Sequence, residues 1–561
     1  MRTIKWLVLI VAVCAAPLAA QDQQSPGSLD QVVARIIARE KQEMEVVRRY
    51  SPLVETYVQK VSNKKNNNEE GWEPDGDHYF IGRAEFAKGL NVEPIEARDY
   101  SPLRHAFANL TRIFDFGVEF LPKGFLQMIY PDADGLDTQT YNFEYVRREF
   151  LGEVRTLVFN VTPSKKAGKG RFMGRIWVED EAFTIVRFNG SYSGNYSSNL
   201  KFHFDSWRVN AGPNLWLPAV IYSEENTPKY LLTAANSSKA QTRLWGYNIG
   251  RAHDEQELSR VLIESQQPVI DKSEQNSDLS PVQQKRAWDL QAQNNVIERL
   301  ERQGLIAPKG EVDKILDTVV NNLEVTNNLN FDPEVRCRVL MTSTIESFAM
   351  GRTIVLSRGL IDVLPDEASL AAMIAKDLAR VILDPTMDTR FGFNDRMVRF
   401  DEKRTFQHFD FARTREEDAA ASTKAAELLK NSPYKDNLRT AGMFIAELQK
   451  RSKEIPNLIS PRLGDSILVT PSVVADAEDK PEATQVVALP LGGRVKLDPW
   501  DDTLDLLKSQ PVRILTESEK MPFEITPFVL YLTRVPSEPA KASQYRGTPQ
   551  PESSKQEPHA E

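Results

Sequence analysis

The sequence predicts an α+β multidomain chain. It has an N-terminal antiparallel, half-barrel-like sheet, then a mainly helical core with a small edge sheet, then a small C-terminal β-containing region. Three observations predict this. The 561 residues are too many for one core, and about 100–200 residues per domain implies three or four domains. Between His78 and Gly250, short alternating runs follow one another across Gly, Asn and charged turns, the pattern of an antiparallel meander. From Leu29 the apolar residues Val32, Val33, Ile36, Ile37, Val46 and Val47 recur instead at helical spacing. A hydrophobic content of 41% with 27% charged residues fits soluble globular domains. The net charge of -9, with no basic block, argues against nucleic acid as a partner.

Residues 1–20 read as a signal peptide. Arg2 and Lys5 form a positive start, Trp6 to Ala16 are apolar, and Leu18-Ala19-Ala20 offer small residues for cleavage. The apolar run is shorter than the roughly 20 residues needed to span a bilayer, and no later run is long enough, so no transmembrane span is expected. Val13 before Cys14, where a small residue would be needed, argues against a lipoprotein anchored through Cys14. The protein is therefore expected to be exported, periplasmic or secreted. Without Cys14 the mature chain keeps only Cys337, which excludes an intramolecular disulfide. Cys337 lies in the alternating run Val335 to Leu340 and reads as a buried strand residue.

Residues 21–69 read as an N-terminal helix, Leu29 to about Val61, followed by a polar linker. Val32, Val33, Ile36, Ile37, Val46 and Val47 supply its apolar spacing. Residues 70–250 form the β domain, with strands expected at Arg155–Val161, Arg171–Val178, Phe183–Phe188, Leu200–Trp207, Leu215–Tyr222 and Lys229–Ala234. Its aromatics (Trp177, Phe188, Phe202, Phe204, Trp207, Trp216, Tyr222) read as one packed sheet face. Residues 251–310 are a linker and a helix around Val282–Gln303, and residues 311–455 are the helical core. Residues 456–533 hold expected strands at Val486–Val495 and Pro511–Leu515 and the apolar run Phe523–Leu532. The Pro-, Ser- and Glu-rich residues 534–561 read as a disordered tail.

Two stretches carry family resemblances. Gly174-Arg175-Ile176-Trp177-Val178-Glu179-Asp180, Ile185-Val186-Arg187-Phe188, Phe204-Asp205-Ser206-Trp207-Arg208 and Leu215-Trp216-Leu217-Pro218 together resemble the LolA/LolB-like half-barrel. That resemblance implies an acyl chain as a ligand of the sheet domain. The core, from helix Val312–Leu323 through strand Val335–Met341, Glu346-Ser347-Phe348-Ala349-Met350, Thr353–Ile361 and the helix starting at Asp366, resembles the HtpX-like zinc metallopeptidases, which include the CAAX prenyl proteases. The resemblance implies a zincin-like peptidase core.

In that family the helix carries His-Glu-x-x-His, two histidines one turn apart holding zinc and a glutamate polarising the bound water. Here the five positions read Lys376-Asp377-Leu378-Ala379-Arg380. Lysine and arginine offer a metal no lone pair. The family's third ligand comes from a second helix, here Glu416–Leu429, where Asp418 takes that position; a register shifted by one puts Glu417 there. Zinc is expected for the family, but its ligands are absent, so no cofactor is expected. Asp384, Asp388 and His408 are the only other candidate metal cluster.

Lys376 and Arg380 supply two positive charges where zinc supplied two. With Asp377 and Asp418 they form either an ion-paired cluster or four solvated residues on an open cleft. The resemblance also implies strand addition of an extended peptide at an edge strand, for which Thr353, Ile354, Val355 and Leu356 are the candidate segment. The leading expectation is an exported, non-catalytic pseudopeptidase with an extended polypeptide or lipoprotein client. The alternatives are an active zinc metalloendopeptidase with atypical ligands and a lipid or lipoprotein carrier working through the sheet domain.

Overall fold

The computed structural model describes residues 29–66, 69–95, 122–193, 202–226, 236–247, 280–383, 392–393, 409, 411–468, 471–478, 495–498, 503–506, 523 and 525–535. Within them the α+β organisation holds: a ten-stranded antiparallel sheet comes first, helices follow, and a three-stranded sheet lies among the helices.

Helix α1 (Leu29–Val47) is shorter than the sequence predicts. The chain leaves it through Tyr50-Ser51-Pro52 and enters β1 (Leu53–Asn66), which turns back into β2 (Glu69–Glu85). The expected helix to Val61 and the linker after it are thus corrected. Pro52 cannot sit inside a helix. From Leu53 the apolar residues switch to a period of two, with Leu53 and Tyr57 on one face and Val54 and Val58 on the other. Glu55 and Thr56 between them, and Gln59 and Lys60 after them, mask that switch.

The sheet is completed by β3 (Asn91–Pro94), β4 (Tyr141–Leu151), β5 (Val154–Pro163), β6 (Phe172–Glu179), β7 (Ile185–Tyr192), β8 (Phe202–Gly212), β9 (Leu215–Asn226) and β10 (Asn236–Trp245). Their order is β3-β2-β1-β10-β9-β8-β7-β6-β5-β4. Strands β4 to β10 form the expected meander, and β10 returns to pair with β1, Val58 opposite Ala240. The expected strand Lys229–Ala234 lies outside the described residues. Strand β4 is not among those the sequence predicts. It is an edge strand whose Glu144, Arg147, Arg148 and Glu149 face water on both sides, so it lacks a clean apolar alternation.

Both faces of the sheet are buried. Val58, Phe159, Phe172, Phe188, Phe204 and Ile221 pack on α1 and the short α2 (Pro122–Gln127) with the turn that follows it. Trp177, Trp207 and Trp216 lie on the other face. The aromatics expected on one face are therefore divided between two, because the strands contribute to both in alternation. Phe188 meets Phe172 and Phe204 edge-on, with centroids 5.9 and 6.0 Å away. Burying each such ring is worth about 2–3 kcal/mol. Gly174 and Gly190 face one another across β6 and β7, where a Cβ on Gly174 would lie 2.2 Å from the Asn189 carbonyl. Inside this layer Arg208 and Glu40 form a fully buried two-pronged ion pair at 2.6 and 2.7 Å.

The second unit contains α3 (Pro281–Arg302), α4 (Glu311–Thr326), β11 (Arg336–Leu340), β12 (Ser347–Met350), β13 (Thr353–Ser357), α5 (Arg358–Val363), α6 (Glu367–Leu383), α7 (Arg415–Lys430), α8 (Arg439–Arg451), α9 (Pro456–Ile459) and α10 (Ser472–Glu478). Local signals set several boundaries. Ser280 and Thr414 each form a capping box, and the Asp366 carboxylate accepts the Ser369 N–H at 2.8 Å at the start of α6. Cys337 is buried in β11, as its alternating run predicts. Leu53, Tyr57, Tyr79, Tyr222 and Trp245 of the large sheet share one continuous core with these helices.

The C-terminal region differs from expectation. Val486–Arg494 and Pro511–Leu515 lie outside the described residues, and the described strands are β14 (Val495–Asp498) and β15 (Thr503–Leu506). The apolar run after them forms an extended strap. Its Ile525 N–H donates to Gln59 on β1 at 2.9 Å. Its Phe528, Leu530 and Leu532 close over the three tryptophans, and its Leu532 carbonyl accepts from Glu153 N–H at 2.8 Å. Arg534 then pairs with Glu179 at 2.8 Å.

Candidate functional site

Helix α6 is apolar around most of its circumference, and every residue from Ala368 to Val381 is buried. Such a helix belongs in the middle of a core, and it brings Lys376, Asp377 and Arg380 inside with it. Helix α7 crosses beside it and supplies Asp418. Lys376, Asp377, Arg380 and Asp418 retain between 0% and 8% of their exposure, so they are not four solvated residues on an open cleft.

They form one network. Asp418 Oδ1 accepts from Lys376 Nζ at 2.8 Å and from Arg380 Nη2 at 2.6 Å. Arg380 Nη1 donates to Asp377, one turn back on α6. A fifth member, Asp465, comes from the segment after α9, with its Oδ2 3.3 Å from Arg380 Nη2. That contact is an ion pair without hydrogen-bond geometry. Lys376 also donates to the Ser466 carbonyl at 3.3 Å. Asp418 faces the network, whereas Glu417 is exposed and closes the capping box with Thr414.

Two cations thus face three carboxylates, and burial governs their titration. Desolvation pushes the Asp377 carboxyl up, opposed by the Arg380 guanidinium and a Ser347 hydroxyl. Desolvation likewise raises Asp465 against the pull of Arg380. It lowers the Lys376 ammonium, with Arg380 adding like-charge repulsion that Asp418 counters. Burial works against the Arg380 charge too, but Asp377, Asp465 and Asp418 outweigh it and hold the guanidinium firmly protonated. A protonated arginine has no lone pair to give a metal, and Arg380 engages the carboxylates of Asp377, Asp418 and Asp465. Among the described residues, no group of three or more His, Cys, Asp or Glu side chains is arranged to hold a metal ion. Asp384, Asp388 and His408 lie outside the described residues.

The candidate peptide-pairing segment requires a correction. Thr353, Ile354, Val355 and Leu356 belong to β13, which is the central strand of the order β11-β13-β12. It pairs in parallel with β11 and antiparallel with β12, and it is buried throughout. Both its backbone edges are used, so it cannot accept an added strand. Its apolar run without alternation is the pattern of a strand covered on both faces. The outer strands are β11 and β12, and β12 lies against α6.

Sequence reasoning missed Asp465 and Glu346. Glu346 is fully buried. Its Oε2 accepts the N–H groups of Arg462, Leu463 and Gly464 at 2.9, 2.8 and 2.9 Å, and its Oε1 accepts from the Thr344 hydroxyl at 2.6 Å. The one available signal was Ser460-Pro461 ahead of Gly464-Asp465, a turn pattern that says nothing about what the turn touches.

The fold and site define an α+β protein that docks a large antiparallel sheet on a helical core with a charge-filled centre. No family model matches the sequence, and no curated protein matches it. Among solved structures, a crystal structure of a DUF1329 family protein from Desulfovibrio piger ATCC 29098 is similar at 13% sequence identity, covering 39% of this chain and 94% of that one, with a TM-score of 0.19. At that score the likeness carries no argument about this chain. No helix among the described residues is long and apolar enough to cross a membrane.

Proposed function

We propose that this chain is an exported, non-catalytic metallopeptidase-like protein, a pseudopeptidase that binds envelope proteins or lipoproteins without cutting them. The observation that carries this reading is the buried network of Lys376, Asp377, Arg380, Asp418 and Asp465. By the resemblance of the core sequence to the HtpX-like family, its residues take the positions that would hold the metal there. Arg380 links three carboxylates from three separate elements, so the network ties α6, α7 and the segment after α9 together as a bound metal would. The apolar, cleavable pattern of Met1–Ala20 supports export, and the peptidase-like order of elements supports an extended polypeptide as client.

Metal analysis of the purified protein tests the reading, together with incubation with an unfolded protein substrate. The expected result is far less than one zinc per chain and no chelator-sensitive cleavage. Zinc near one per chain with such cleavage would instead establish an active endopeptidase with atypical ligands. Tight binding of a fluorescent fatty acid without any peptide binding would favour the acyl-carrier alternative.

A further inference from the structure

The network extends to a segment that closes the small sheet. Leu463-Gly464-Asp465 runs antiparallel to the outer strand β12, with Asp465 N–H donating to the Ser347 carbonyl at 3.0 Å. Gly464 packs so closely on β12 that a Cβ would lie 2.6 Å from Phe348 Cδ1 and 2.8 Å from the Ser347 carbonyl. On the far side, Phe411 N–H donates to the Leu463 carbonyl at 2.8 Å, and Arg413 N–H donates to Asp465 Oδ1 at 2.7 Å. The Phe411 ring stacks on Phe348 with centroids 4.7 Å apart. Glu346 gathers three successive N–H groups of the same segment.

Four of these features are those of a peptide-binding subsite. Backbone pairing along a strand edge and a carboxylate collecting main-chain N–H groups both hold an extended chain whatever its sequence. Two positions read side chains: Phe348 with the Ser347 carbonyl admits only glycine, and Arg380 with the Arg413 N–H takes a carboxylate at the next residue. An outer strand in a protein of this kind needs a cover, and here the cover is held mainly by polar and ionic contacts.

We propose that Arg462–Ser466 is an internal occupant of a peptide-binding edge on β12, and that the client which displaces it is an extended peptide carrying glycine followed by an acidic residue. This rests on the reading of the chain as a peptide-binding, non-catalytic frame. The resting protein is then self-occluded, and client binding requires this segment to release.

A fluorescein-labelled peptide Ser-Pro-Arg-Leu-Gly-Asp-Ser-Ile, matching residues 460–467, tests this on the full chain by fluorescence polarisation. Two variants loosen the internal segment. Gly464→Val forces a side chain against β12, and Asp465→Asn removes the carboxylate that Arg380 and the Arg413 N–H hold. Both changes fall on the internal segment and leave the edge and Glu346 intact. The expected result is weak binding to the unaltered protein and binding at least about tenfold tighter to each variant, a difference of about 1.4 kcal/mol. Replacing the peptide's aspartate with asparagine is expected to lose about that factor again. Equal affinity for the unaltered protein and both folded variants overturns the proposal, as does indifference to the asparagine change.

Hydrogen exchange on the unaltered protein supplies a measurement that depends on no variant. The amides of Leu463–Asp465 are expected to exchange at least about tenfold faster than those of β13, by local opening. Exchange only together with β13 overturns the proposal. The two readings fail separately. Stoichiometric zinc or cleavage of the labelled peptide sinks the non-catalytic reading, whereas absent zinc, intact peptide and no variant-dependent binding sinks only the self-occluded edge.

Discussion

Replacing Asp418 with alanine removes one carboxylate from two buried cations, and its cost can be worked from the geometry. Asp418 Oδ1 serves both Lys376 Nζ and Arg380 Nη2. Arg380 keeps Asp377 and Asp465, so the larger loss falls on Lys376, which is left charged beside Arg380. Breaking a buried pair by removing one partner costs about 3–5 kcal/mol. The retained partners of Arg380 place this case near the lower end, about 3 kcal/mol. At about 2–4 °C per kcal/mol for a unit of about 150–250 residues, the size of the helical core, the melting temperature should fall by about 6–12 °C if that core melts by itself. It should fall by about 3 °C if the whole chain melts as one.

The pH dependence has a definite sign. Removing Asp418 takes away the negative charge that holds up the already lowered Lys376 pKa. The unfolded lysine then holds its proton over a wider range than the folded one. Stability of the variant, relative to the unaltered protein, therefore rises with pH below the usual lysine value, and the deficit is greatest in acid. Calorimetric melting across a pH series checks both magnitude and slope. The double variant Lys376→Met with Asp418→Ala removes the pair rather than breaking it, and should recover at least about 1.5 kcal/mol. A change under about 0.5 kcal/mol for Asp418→Ala would be that of an ordinary surface substitution and would refute the idea that the network binds the two helices together.

Three further outcomes follow from other parts of the molecule. Burial raises the Glu43 carboxyl to about 7, so the folded state keeps a proton that the unfolded state has lost, and stability should fall as pH rises from about 4.5 to 7. Glu43→Gln should flatten that slope by about 1–3 kcal/mol in urea titrations across the range. Glu40→Gln leaves Arg208 buried without its charge partner and should cost about 3–5 kcal/mol by thermal melting, whereas the exposed pair Lys285 and Asp289 should be worth under about 1 kcal/mol on the same assay. Truncation before residue 523 should uncover Trp207 and Trp216, red-shift the tryptophan emission and cost about 3 kcal/mol in denaturant unfolding, the worth of the strap's apolar side chains less the entropy of ordering it.

The sequence made most of the helical core legible because caps and periodicity agree there. Ser280, Asp366 and Thr414 mark helix starts, and α6 carries a long apolar run. The meander from β5 to β9 was legible for the matching reason: its period of two is regular and its turns carry Gly and Asn. Strands β1 and β2 were not, because their lysines and glutamates imitate an exposed helix and β1 joins them to the rest of the sheet only through β10, far along the chain. The site was legible in part. Lys376, Asp377, Arg380 and Asp418 were singled out by the resemblance of two helices to a metallopeptidase motif, and their burial by the apolar run around them. Asp465 and Glu346 depend on where an irregular segment docks, and no local pattern encodes that. Thr353–Leu356 shows a related limit. A short apolar strand announces burial, but whether it stands at the edge or the centre depends on neighbours such as Ser347–Met350, which flank it only once the chain has turned.

The strap over Trp207 and Trp216 also sets an order of events in the life of each molecule. Its Phe528, Leu530 and Leu532 are encoded about three hundred residues after those tryptophans. At synthesis rates of about 5–20 residues per second, the interval is about 15–60 seconds. During that interval the sheet can form its strands but cannot seal its second face. The open tryptophan face is then an adhesive surface on a newborn chain, of the kind that recruits holding factors or drives aggregation. Every molecule that completes folding must withdraw that surface with residues encoded about three hundred positions later.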